Sequence, residues 1–86
     1  MMQPDTIRQL IEQGIPGCEA YVQGEDGTHF EAVIVSEAFA GKNRVQQHQL
    51  VYQALGEKMG TDIHALSIRT YTPEQWEQAR ELRSPG

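Results

Sequence analysis

Apolar residues recur along this chain with two different periods, and the switches between them mark its elements. Ile7, Leu10 and Ile11 fall three and four positions apart, which predicts a first helix beginning at Asp5 or Thr6. Gly14 and the Pro16-Gly17 pair end it. From Cys18 to Gln23 the pattern changes to alternation, with Cys18, Ala20 and Val22 on one side and Glu19, Tyr21 and Gln23 on the other. A second strand is expected from Thr28 to Val35, separated from the first by Gly24-Glu25-Asp26-Gly27. Asp-Gly between two strand-like runs signals a hairpin, because a type I′ turn needs positive φ at both central positions. The two strands should therefore be antiparallel neighbours.

Ser36 reads as the cap of a single helical turn halted by Gly41. A longer helix is expected from about Asn43 to Lys58, with Gly60 as its C-terminal cap. Val45, His48, Val51, Tyr52, Leu55 and Met59 stand at helical steps there and predict its apolar stripe. The following strand carries His64 near its start, on the face shared by Leu66 and Ile68. The last helix has a sharply specified entry: Thr72 as N-cap, Pro73 at the first helical position and Gln75 completing a capping box. Tyr71 and Trp76 are spaced to pack as a hydrophobic staple across that start.

The element order is thus α-β-β-α-α-β-α, and the class α+β, a three-stranded sheet packed against helices. One sheet face should bury Phe30, Ala32, Ile34, Leu66 and Ile68 or their alternates, and His29 points the opposite way from Phe30. Connections are short, so residues 1–86 read as one domain with Ser84-Pro85-Gly86 frayed at its end.

Composition narrows the chemistry. No apolar run approaches the length of about 20 residues that spans a bilayer. The N-terminus lacks the basic and apolar regions of a signal peptide, so a cytoplasmic location is expected. A lone Cys18 excludes an internal disulfide and any CxxC zinc site. The net charge of −5 is uneven: residues 1–35 carry −5, residues 36–71 carry +1 and the remainder −1. A dense cationic footprint for phosphates is therefore missing, and only the middle of the chain supplies even a thin one.

Several short motifs follow one another in a telling order: Gly27-Thr28-His29-Phe30, Phe39-Ala40-Gly41-Lys42 with Arg44, His48 with Leu50-Val51-Tyr52, Ile63-His64-Ala65-Leu66, and Tyr71-Thr72-Pro73-Glu74-Gln75-Trp76. In these the chain resembles the BolA family, and within it the short-loop bacterial, IbaG-like branch. The resemblance implies a fold similar to a class II KH domain. It also implies a non-enzymatic partner of monothiol glutaredoxins in iron–sulfur trafficking or iron sensing, while some family members are described as DNA-binding regulators.

By the same resemblance, the histidine of the Ile-His-Ala-Leu motif, His64, is the expected ligand of a 2Fe-2S cluster. Neutral imidazole suits iron. The plain alternative is a histidine that caps a strand start or donates to a loop carbonyl. Such a cluster needs four ligands. By family analogy a glutaredoxin cysteine and glutathione supply two, so the isolated chain is expected to be apo. Many relatives carry the second histidine or cysteine in the loop between the first two strands. Here Gly24 to Gly27 holds neither, and His29, just after it, is the nearest substitute, with a surface strand histidine as its alternative.

Cys18 reads as a small buried apolar residue rather than a ligand, and His48 as structural or partner-facing. Lys42, Asn43 and Arg44 are the candidates for the rival function, a KH-like nucleic-acid-binding transcriptional regulator. Their turn, Gly41-Lys42-Asn43-Arg44, lacks the second glycine of a KH GxxG loop. A metal-free interaction module in a stress or division pathway is a third possibility. The chain is expected to be a monomer or weak homodimer, with no membrane partner. Glu77, Arg80 and Glu81 read as a solvated helix face.

Overall fold

The hairpin between the first two strands forms as its alternation requires. In the computed structural model, which describes residues 3–24, 29–56 and 65–83, β1 (Glu19–Gln23) and β2 (His29–Val35) pair antiparallel from Glu19↔Val35 to Gln23↔Glu31. The expected Asp26-Gly27 turn lies outside the described residues. Ahead of the hairpin stands α1 (Pro4–Gly14), which begins earlier than its pattern suggested: Gln3 is the N-cap and makes no side-chain cap bond, and Pro4 opens the helix. Ile7 and Ile11 are fully buried on one face, followed by Ile15 just past the helix end. Burying one such side chain contributes roughly 1.5–3 kcal/mol.

After β2 comes a short 3-10 turn, Glu37–Phe39, held by Ser36. The buried Ser36 hydroxyl accepts from the Ala38 N–H at 3.0 Å and donates to the Pro16 carbonyl at 3.0 Å, so its polarity is satisfied inside the core. Next, α2 (Arg44–Leu55) starts in a reciprocal capping box of Asn43 and Gln46. It stops short of the expected end at Lys58. Gly56, at φ +58°, is its C-cap, a left-handed position that glycine occupies without steric penalty. Gly60 lies outside the described residues.

The apolar stripe of α2 also differs from the expected one. Val51 and Leu55 are buried, with Gln47, Leu50 and Ala54 beside them, whereas Val45 and Tyr52 are 67% and 42% exposed. Apolar residues on two faces gave the sequence two overlapping periodicities, and packing against α1 selected one of them. That contact is close: a Cβ at Gly14 would meet the Ala54 Cβ at 2.5 Å.

The third strand, β3 (Ala65–Tyr71), pairs parallel to β2 from His29↔Ala65 to Val35↔Tyr71, which gives the sheet order β1-β2-β3. A parallel return requires a crossover, and α2 provides it. The shared face of the sheet buries Phe30, Ala32 and Ile34 and half-buries Leu66 and Ile68, against α1 and α2. The final helix α3 (Pro73–Arg83) opens in the anticipated capping box, with the Thr72 hydroxyl accepting from the Gln75 N–H at 3.2 Å and Gln75 Oε1 from the Thr72 N–H at 3.0 Å. Its Trp76 packs against Tyr71 and Tyr21, whose positions alternate with the buried ones, so α3 occupies the other face of the sheet. Among the described residues no helix is long and apolar enough to cross a membrane.

Candidate functional site

His29 is the first residue of β2, exposed and pointing away from the buried Phe30. Its partner in the parallel ladder is Ala65, the residue that follows His64 in the sequence. His64 itself lies outside the described residues. His29 lines a shallow concavity with Gln23, Gly24, Glu31, Ala65 and Ser67. Gly24 keeps that space open by necessity: a Cβ there would run into the Phe30 ring and sit 2.9 Å from the His29 carbonyl oxygen.

An exposed imidazole on a rigid strand is a competent donor to iron. Among the described residues no group of three or more His, Cys, Asp or Glu side chains converges on one point. Among the described residues, His29 therefore offers at most one of the four ligand positions a 2Fe-2S cluster needs.

Cys18 stands elsewhere, half-buried, its thiol directed at the Ile11 carbonyl oxygen 3.6 Å away. Burial, followed by the nearby Glu12 and Glu19 carboxylates, raises its pKa and keeps it a thiol. This agrees with its reading as a small apolar residue.

The cationic candidates lie at the far end of β3. Lys42 and Arg44 are exposed around the start of α2. Asn43 Oδ1 accepts from the Gln46 N–H at 2.8 Å, so that side chain is engaged in capping. Arg44 lines a groove with His48 of α2, with Ile68, Arg69 and Thr70 of β3, and with Gln75 of α3. Arg69 escaped the reading of the sequence as a site residue, although its alternation with Ile68 sets it on the sheet face opposite Ile68. Only the crossover brings it to the same groove as Arg44. Gln47 was missed too: its amide donates to the Phe39 and Lys42 carbonyls at 3.1 and 3.0 Å, and its oxygen accepts from the Thr70 hydroxyl at 2.5 Å. It locks the turn before α2 onto β3.

With this topology in view, the sequence relationship is decisive: a model of BolA-like proteins matches residues 14–75. The chain belongs to the BolA family. This BolA protein is 38% identical over 82 residues to the acid stress protein IbaG of Escherichia coli K12, covering 94% of this chain and 96% of that one. It is 44% identical over 54 residues to the DNA-binding transcriptional regulator BolA of Vibrio cholerae, a match spanning 63% of this chain and 51% of the regulator. Among solved structures, a BolA homologue from Coxiella burnetii superposes with a TM-score of 0.82 at 45% identity, over 90% of this chain and 99% of that one.

Proposed function

We propose that this BolA protein is a non-enzymatic adaptor that shares a 2Fe-2S cluster with a monothiol glutaredoxin and glutathione in the cytoplasm. The observation that carries the reading is the register of β2 on β3: exposed His29 pairs with Ala65, one residue after His64. Two imidazoles leave two of four ligand positions for thiolates from outside. The cluster would supply electron transfer or a cargo; this chain's part is to present nitrogen donors.

The test is reconstitution with glutaredoxin, glutathione and an iron–sulfur source, read by visible absorption and circular dichroism. His64→Ala and His29→Ala should each change the spectrum of the shared cluster. Spectra unchanged in both variants would remove this reading.

A second reading, a nucleic-acid-binding regulator, is supported by exposed Lys42 and Arg44 around the α2 N-terminus, a helix end that favours phosphate. DNA affinity would then fall steeply with salt and with Lys42→Glu and Arg44→Glu. Flat titrations at low salt would rule it out.

A further inference from the structure

The two edges of the sheet are treated differently. On β1 the Ala20 N–H donates to Glu12 Oε2 at 3.2 Å, so a side chain of α1 occupies that edge. β3 is the other edge strand, and it is seven residues long. The Tyr71 carbonyl accepts from the Ser36 N–H, on the β2 side. Backbone groups alternate sides along a strand, so those of Leu66, Ile68 and Thr70 point outward. Among the described residues none of these outward groups has a backbone partner.

Charge follows the same division. Among the described residues, the groove along Ile68–Tyr71 is lined by Arg44, His48 and Arg69 and by no carboxylate, on a chain of net charge −5. Among the described residues the ion pairs use Arg8 with Asp5 and Glu12, and Arg80 with Glu77, leaving Arg44 and Arg69 uncommitted. Arg69 belongs to the outer sheet face and Arg44 and His48 to the α2 side, so a chain laid along this edge would meet a cation on each flank.

We propose that the outer edge of β3 is a docking strand for an extended, acidic segment of a partner protein. The segment adds as a further strand on Leu66, Ile68 and Thr70 and sets its carboxylates against Arg44 and Arg69. A strand edge offers alternating donors and acceptors, which a peptide backbone matches and a phosphodiester, having acceptors only, does not. The few cations present are also too sparse for a phosphate track. A second copy of this chain pairing edge to edge would bring the Arg44 and Arg69 cations of both copies to one seam with no carboxylate there among the described residues, which like-charge repulsion opposes. The site is separate from His29: Ala65 and Arg69 are four residues apart along the strand, roughly 13 Å at strand rise. It does not rest on the cluster reading.

The experiment uses the full chain and a fluorescein-labelled peptide of about ten residues built from glutamate, valine and threonine, with a lysine-for-glutamate counterpart and a single-stranded oligonucleotide as controls. Anisotropy should show binding of the acidic peptide alone, weakened at least about tenfold in Arg44→Glu/Arg69→Glu. Circular dichroism of that variant checks that its fold is kept. Amide exchange supplies the second readout: the peptide should slow exchange at Leu66, Ile68 and Thr70. Binding without that protection, preference for the oligonucleotide, or the same protection arising from self-association without peptide would each overturn the proposal.

Discussion

Trp76 of α3 lies over Tyr21 of β1 with ring centroids 5.7 Å apart and planes 25° from parallel, while Tyr71 meets the same indole from 5.4 Å at 51°. One ring thus ties the last helix to both edge strands. Trp76→Ala should release α3 at a cost of about 2 kcal/mol while leaving the opposite sheet face folded. Amide exchange should then rise along Pro73–Arg83 and not along α1. Trp76 is the only tryptophan, so Tyr21→Ala is expected to move its fluorescence to longer wavelength.

Val45 and Val51 stand on different faces of α2, one largely exposed and the other fully buried. Val45→Ser should change stability by less than about 0.5 kcal/mol. Val51→Ala should cost about 2 kcal/mol through lost contacts and a cavity. Urea midpoints for the two variants check this, and equal costs would contradict the observed helix rotation.

Gln47 satisfies two loop carbonyls and the Thr70 hydroxyl from one side chain. Gln47→Leu removes the partner of the Lys42 carbonyl and of the Thr70 hydroxyl, while the Phe39 carbonyl keeps the Lys42 N–H at 3.2 Å, and should cost roughly 1–3 kcal/mol. A double-mutant cycle with Thr70→Val should show coupling, because the two residues share a bond.

Cys18 ionises less readily in the folded chain, first because it is half-buried and then because Glu12 and Glu19 are near. The folded state therefore keeps its proton over a window that opens near the ordinary thiol range, at about 8.5, and extends upward. Folding stability should fall as pH rises through that window, and Cys18→Ala should remove this part of the slope. Alkylation by iodoacetamide should likewise need higher pH in the native than in the unfolded protein.

Features written into neighbouring residues were legible in the sequence. The Thr72 capping box, the Ser36 cap, the antiparallel hairpin strands and the opposite orientations of His29 and Phe30 all depend on contacts a few positions apart or on strict alternation. The stripe of α2 was not, because its buried side includes Gln47 and Ala54 while Val45 and Tyr52 face solvent. Periodicity alone cannot choose between two such faces. Nor could spacing reveal the bond from Gln47 to Thr70, or the groove shared by Arg44 and Arg69. Each is produced by a parallel strand returning from far along the chain.

That return also dictates an order of assembly. β2 is the middle strand, flanked on one side by a hairpin partner only a few residues away. Its other flank arrives 36 positions later, from His29↔Ala65 to Val35↔Tyr71. Closing so long a loop costs entropy before it returns any contact. During synthesis on the ribosome the hairpin and α1 can therefore settle first, with one side of β2 bare. The sheet is sealed only when Tyr71 has emerged, and until then β2 is the chain's point of greatest risk for wrong pairing.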